Sequence, residues 1–134
     1  MEVRFLTEDD YDTLCKWWKW WRFPAIIREV LPENGLGGVM VSDENGREIC
    51  AGFLYKTNSH VCIVEWIVSN PNVKDKALRK QSLEYLINVL MAIGKQEGYT
   101  HAFTTLKNQS LISTYESCGF LGGSTNCTEM MAEL

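Results

Sequence analysis

Apolar residues recur at two different periods along this chain, and the switches between them divide it into elements. Val3 to Leu6 reads as a short strand. Thr7-Glu8-Asp9-Asp10 then offers a capping residue and acidic side chains where a helix dipole favours them. Leu14, Trp17, Trp18 and Trp21 follow at i, i+3, i+4 and i+7, which is one face of a helix, while Lys16, Lys19 and Trp20 point elsewhere. This stripe reads first as core packing. Pro24 interrupts the helix, and a short helical piece is expected around Ala25 to Leu31, bounded by Pro32 and the Asn34-Gly35 turn.

The period then changes to two. Gly38 to Val41 and Arg47 to Lys56 flank Asp43-Glu44-Asn45-Gly46 and read as a hairpin whose glycine supplies positive φ. The run Val61 to Val68 is almost wholly apolar and β-branched, as a central strand covered on both faces would be, and Glu65 is its one charge. After Asn70-Pro71-Asn72 a long helix begins near Asp75, with Leu78, Tyr85, Leu86, Val89, Leu90 and Ile93 at helical spacing, and Gly98 ends it. His101 to Leu106 is a further strand, Gln109 to Ser117 a short helix, and Cys127 to Met131 a last strand after Gly122-Gly123. This order predicts a single α/β domain over residues 1–134 with a mixed sheet and helices on both faces.

Composition narrows the class. With 46% hydrophobic and 22% charged residues in 134, there is material for one core and no low-complexity stretch. A net charge of −4 argues against nucleic acid, which needs a basic stripe. Five cysteines without a Cys-x-x-Cys pair encode neither a disulfide framework nor a zinc site, and His60 and His101 have no partner at ligand spacing, so no metal is expected. The N-terminal residues carry no basic region followed by an apolar run, and no apolar stretch reaches about 18 residues. A cytoplasmic protein independent of membranes is the expectation.

The segment from Asn108 through Tyr115 and Glu116 to Gly119-Phe120, placed after a late strand in this element order, resembles the GNAT superfamily of N-acetyltransferases. Ala51 to Asn58 and Glu65 to Pro71, with the tryptophan-rich first helix, resemble a group of short GNAT-like proteins of bacteria and their phages. The resemblance implies a GNAT-like sheet of six or seven strands. It also implies transfer of an acetyl group from acetyl-CoA directly to a primary amine.

Tyr115 matches the family tyrosine that protonates the departing sulfur, and Glu65 matches a carboxylate that serves as base for the amine. A core tyrosine and a structural carboxylate are the plainer readings of the same two residues. By resemblance, the backbone of Ile67, Val68 and Ser69 pairs with the pantetheine arm, and Asn108 contacts the coenzyme or caps its helix. The family's glycine-rich pyrophosphate loop corresponds here to Lys74-Asp75-Lys76-Ala77-Leu78-Arg79, which has no glycine. Lys74, Lys76 and Arg79 remain to pair with phosphate directly, and Asp75 opposes it. Trp20 and Phe23 are candidates for the acceptor pocket or a protein contact. The other reading is a GNAT-shaped binding module with a degenerate coenzyme loop, and a homodimer through the aromatic helix or an edge strand is a further expectation.

Overall fold

The computed structural model describes residues 1–134. Its elements are β1 (Glu2–Phe5), α1 (Asp10–Trp20), two 3-10 turns (Arg28–Val30 and Pro32–Gly35), β2 (Gly38–Ser42), β3 (Glu48–Tyr55), β4 (Val61–Ser69), α2 (Lys76–Gln96), β5 (His101–Phe103) and α3 (Gln109–Ser117). The strands form one sheet in the order β1-β2-β3-β4-β5. The first four pair antiparallel, and β4 pairs with β5 parallel, so the sheet is mixed.

Period-two alternation in the strands sends side chains to two cores, one on each face. Val39, Val41, Leu54, Cys62 and Val64 pack beneath α2 and α3 with Leu86, Leu90 and Tyr115. Met40, Ala51, Phe53 and Val68 pack beneath α1 with Leu14, Trp17 and Trp18. Gly52 makes the α2 side close: a Cβ there would lie 2.6 Å from Ile67 Cδ1. The stretch Thr7 to Asp10 does start α1 with acidic residues in its first turn, although the N-cap residue, Asp9, makes no side-chain bond to the helix. The carboxylate of Asp10, buried in the first turn, reaches back to the Thr7 amide at 2.7 Å and takes both guanidinium arms of Arg4.

Three expectations need correction. The sheet has five strands, not six or seven, because Cys127 to Met131 forms no strand and is exposed throughout. A strand needs a ladder, and β5 extends for only His101–Phe103, too short an edge to hold one. The predicted helix at Ala25 to Leu31 shrinks to one 3-10 turn, with extended backbone on either side of it. Trp21 leaves the buried stripe at 36% exposed, since it sits past the last turn of α1.

Candidate active site

The site lies where β4 and β5 part. Their parallel pairing covers Val61 with His101, Cys62 with Ala102 and Ile63 with Phe103, and then ends. From Val64 onward β4 has no sheet partner on its β5 side. That is why this run is half-buried rather than covered on both faces as its composition predicts.

A bulge in β4 shapes the opening. Glu65 pairs with Phe53 and Val68 with Ala51, so three steps along β4 face two along β3. The extra residue is absorbed by Trp66, whose φ of 58° is in the left-handed region that large side chains avoid. Its indole holds it there by donating to the Tyr55 hydroxyl at 2.7 Å, and that hydroxyl donates to the Val30 carbonyl at 2.6 Å. Cross-strand packing thus stabilises a backbone geometry the residue would not choose.

Glu65 bridges the splayed strands. Its Oε1 accepts from the Thr104 hydroxyl at 2.8 Å and the Thr105 amide at 3.2 Å, both just past the end of β5. Its other oxygen accepts no hydrogen bond within the protein and is not sealed from solvent. Burial raises its pKa above the ordinary carboxylate value. The two donors pull the other way without cancelling the rise, and Glu129 of the C-terminal segment adds to it.

Tyr115, only 1% exposed, reaches the same place from α3 and donates its hydroxyl to the Val64 carbonyl at 3.2 Å. Burial pushes this phenol well above its ordinary pKa; the Thr104 hydroxyl partly opposes that rise and the charge of Glu65 adds to it. Thr104 therefore bonds to the carboxylate and influences the phenol as well. Sequence reasoning does not find it, since a threonine in a β-rich run carries no spacing signal.

The stretch Ile67–Ser69 lies on the open part of β4, but its far end is engaged: the Trp21 indole donates to the Ser69 carbonyl at 2.8 Å. Lys76 to Arg79 are the first turn of α2 rather than a loop. Asp75 caps that helix by accepting from the Leu78 amide at 3.1 Å, and Arg79 donates to the Val73 carbonyl at 3.1 Å. Lys74 and Arg79 lie over the rings of Trp20 and Trp21, 5.1 and 5.8 Å from their centroids. Asn108 caps α3 through the Leu111 amide at 3.0 Å. Trp20 and Phe23 are exposed, and neither bonds to Glu65 or Tyr115.

Residues fit for a thioester coenzyme are thus unevenly distributed. The unpaired edge of β4 suits an extended amide-bearing arm, whereas the head of α2 already has its own carboxylate on it. An apolar depression of about 300 Å³ beside Leu36, Leu54, Leu90 and Ile93 lies toward the other end of α2 and includes none of the groups at the splay. No three histidine, cysteine or acidic side chains gather as a metal-binding group, and no helix is long and apolar enough to cross a membrane.

No family model matches the sequence, and no curated protein matches it. Solved structures do match in shape. Wild-type TTHA1254 from Thermus thermophilus superposes with a TM-score of 0.66 at 14% identity, covering 100% of both chains. Glucosamine-6-phosphate N-acetyltransferase from Arabidopsis thaliana gives 0.65 at 15% identity over 98% of each chain. An acetyltransferase of Trypanosoma brucei gives 0.61 at 19% identity over 99% of each. Likeness of this extent at such identities establishes architecture: the chain has the fold of the GNAT acetyltransferases.

Proposed function

We propose that the chain is an N-acetyltransferase that transfers the acetyl group of acetyl-CoA directly to a primary amine. One observation carries this reading: Glu65, Thr104 and Tyr115 come together where β4 leaves β5, on a strand edge left without a partner. A carboxylate with one open oxygen and a buried hydroxyl beside a free backbone edge are the parts amine acylation needs.

Each part has a role. The open oxygen of Glu65 takes the proton that makes the incoming ammonium a nucleophile, and the raised pKa makes it a stronger base than an ordinary carboxylate. The amine nitrogen bonds to the acetyl carbon as the carbon–sulfur bond breaks, the electron pair leaves on sulfur, and the thiolate takes up the second proton that the acylated nitrogen gives up. Free amides on the edge of β4 beyond Val64 polarise the carbonyl and align the pantetheine arm as an added strand. Tyr115 faces the departing sulfur. With its proton held above the usual phenol range, it works mainly by hydrogen bonding to the thiolate, exchanging the Val64 carbonyl for sulfur. The amine's identity rests on no observation in the site, and the tie to short bacterial and phage proteins rests on sequence segments alone.

A second reading, a binding module of this shape, draws on the other end of the site. Asp75, Arg79 and Trp21 occupy backbone groups near the expected pyrophosphate position with the protein's own side chains. Fold does not decide between them: a transcriptional regulator from Bacillus halodurans shares it with a TM-score of 0.64 at 11% identity. Thermal melts with acetyl-CoA separate the readings. Ligand at about 100 times its dissociation constant adds about 2.7 kcal/mol, a clear rise in midpoint. A folded protein with no shift at millimolar acetyl-CoA is a binding module.

A further inference from the structure

Glu65 and Val68 are separated by an odd number of steps along β4, so an unbroken strand would send them to opposite faces of the sheet. They share one face instead. Glu65 pairs with Phe53 and Val68 with Ala51, and both partners belong to the core beneath α1. Residues directly opposite on paired strands lie on the same face, so the bulge at Trp66 and Ile67 is what turns Glu65 toward α1. Without it, the register that pairs Val68 with Ala51 would set Glu65 against Leu54, whose side chain is in the core beneath α2.

The residue that carries this bulge is poorly suited to it. A left-handed bulge position is ordinarily glycine's, because a Cβ is crowded there, yet Trp66 occupies it at a φ of 58°. The other non-glycine residues at positive φ, Arg22, Glu33, Asn34 and Asn126, all lie outside the sheet. Strain of this kind persists only where neighbours over-determine it. Tyr55 is that neighbour. Its hydroxyl accepts from the Trp66 indole at 2.7 Å and donates to the Val30 carbonyl at 2.6 Å, so its donor and its acceptor are both committed between β4 and the turn Arg28–Val30. By strand alternation Tyr55 shares the α1 side of β3 with Phe53. Burial raises its phenol above the ordinary pKa, the Trp66 indole opposes that rise, and the charge of Glu65 adds to it.

We propose that Tyr55 is a positioning residue for Glu65: by holding Trp66 in the left-handed bulge it keeps the carboxylate on the α1 face, bonded to Thr104 with one oxygen open. Its part in turnover rests on the acetyltransferase reading. The effect passes through the backbone of β4, since no hydrogen bond joins Tyr55 to Glu65. Loss of the hydroxyl leaves the indole N–H and the Val30 carbonyl without partners and removes the support of the bulge. Glu65 then gains water and loses its fixed aim.

Carboxyl-carbon NMR titrations and turnover measurements test this on the protein, Tyr55→Phe, Trp66→Gly and the double variant, with Glu65→Gln assigning the resonance. Glycine adopts the left-handed bulge unaided, so the Trp66→Gly background isolates what Tyr55 does through Trp66. In the parent, Tyr55→Phe should lower turnover per folded molecule by at least about tenfold and move the Glu65 midpoint down toward the ordinary carboxylate value. In the Trp66→Gly background the same change should alter turnover by less than about twofold and leave the midpoint in place. Trp66→Asn, which also tolerates the left-handed region, repeats the comparison if the glycine variant does not fold. Tyr115 of α3 and Glu129 of the C-terminal segment, the other titratable groups coupled to Glu65, stay unchanged throughout. A midpoint that Tyr55→Phe does not move, or an effect of equal size in both backgrounds, overturns the positioning role. The NMR titration needs no turnover: a midpoint that shifts as expected in a protein without acetyltransferase activity retains the hold of Tyr55 on Glu65 and removes only the reading of the reaction.

Discussion

The two oxygens of Glu65 have different surroundings, and that difference makes the residue testable. Oε1 accepts from Thr104 and Thr105, a role that the amide oxygen of glutamine fills equally well. Only the open oxygen's capacity to take a proton is lost in Glu65→Gln. Burial raises the folded pKa above the ordinary 4.5, so the native state binds the proton more tightly than the unfolded chain. Stability therefore falls as pH rises through that interval, and Glu65→Gln should be at least as stable as the parent near pH 7. The advantage should vanish below about pH 4. Turnover per folded molecule should drop by about 10²- to 10⁴-fold, with loss of the acidic limb of the pH–rate profile. Tyr115→Phe should show the converse balance, losing about 1–3 kcal/mol by leaving the Val64 carbonyl unpaired and about 10²-fold in turnover. Denaturant melts and pH–rate curves on both variants check this; a stable Glu65→Gln enzyme with an unaltered profile ends the base assignment.

At the scale of elements, α2 begins where the sequence places it, but for a reason that affects ligand binding. Asp75 accepts from the Leu78 amide, which satisfies one of the donors a helix start leaves unpaired. The same carboxylate puts negative charge where helices otherwise attract phosphate. Asp75→Ala should destabilise the protein by about 1 kcal/mol in urea melts, while Asp75→Asn, an equally good cap, should hold near the parent value. Equal losses in both variants would show that the charge, rather than the cap, stabilises this helix end.

For the molecule as a whole, buried carboxylates set opposite slopes in pH. Desolvation raises the Asp10 pKa, but hydrogen bonds from Arg4 and the Thr7 amide, with the charge of Arg4, outweigh it and hold the group below its ordinary value. Asp10 therefore contributes stability above about pH 4 that is lost as pH falls through its folded pKa, the reverse of Glu65. Arg4 is partly exposed and links β1 to α1 through Asp10 and to β3 through Glu48, so solvent weakens each pair. Asp10→Asn should lower stability near pH 7 by about 1–3 kcal/mol and narrow that gap toward pH 3. Thermal melts across this range supply the measurement, and a gap constant with pH would place the loss in packing rather than charge.

Local pattern determined most of the elements. The helix Gln109–Ser117 forms where its spacing predicts, β2, β3, β4 and α2 end within about two residues of their predicted limits, and the buried face of Leu14, Trp17 and Trp18 is the one the i, i+3, i+4 rule selects. These features depend on side-chain period and on turn residues, which neighbours in sequence carry. The sequence also singles out Glu65 and Tyr115 as candidates, one as a lone charge in an apolar strand and the other through a resemblance, and the structure brings both to the splay. Tertiary structure decided whatever depends on partners distant in the chain. It bonded Thr104 to Glu65, brought Tyr115 to the adjoining Val64 carbonyl, and turned Trp66 into a bulge through Tyr55. It also left Cys127 to Met131 outside the sheet, because an apolar stretch becomes a strand only where another strand offers it a ladder of hydrogen bonds, and β5 is too short to do so.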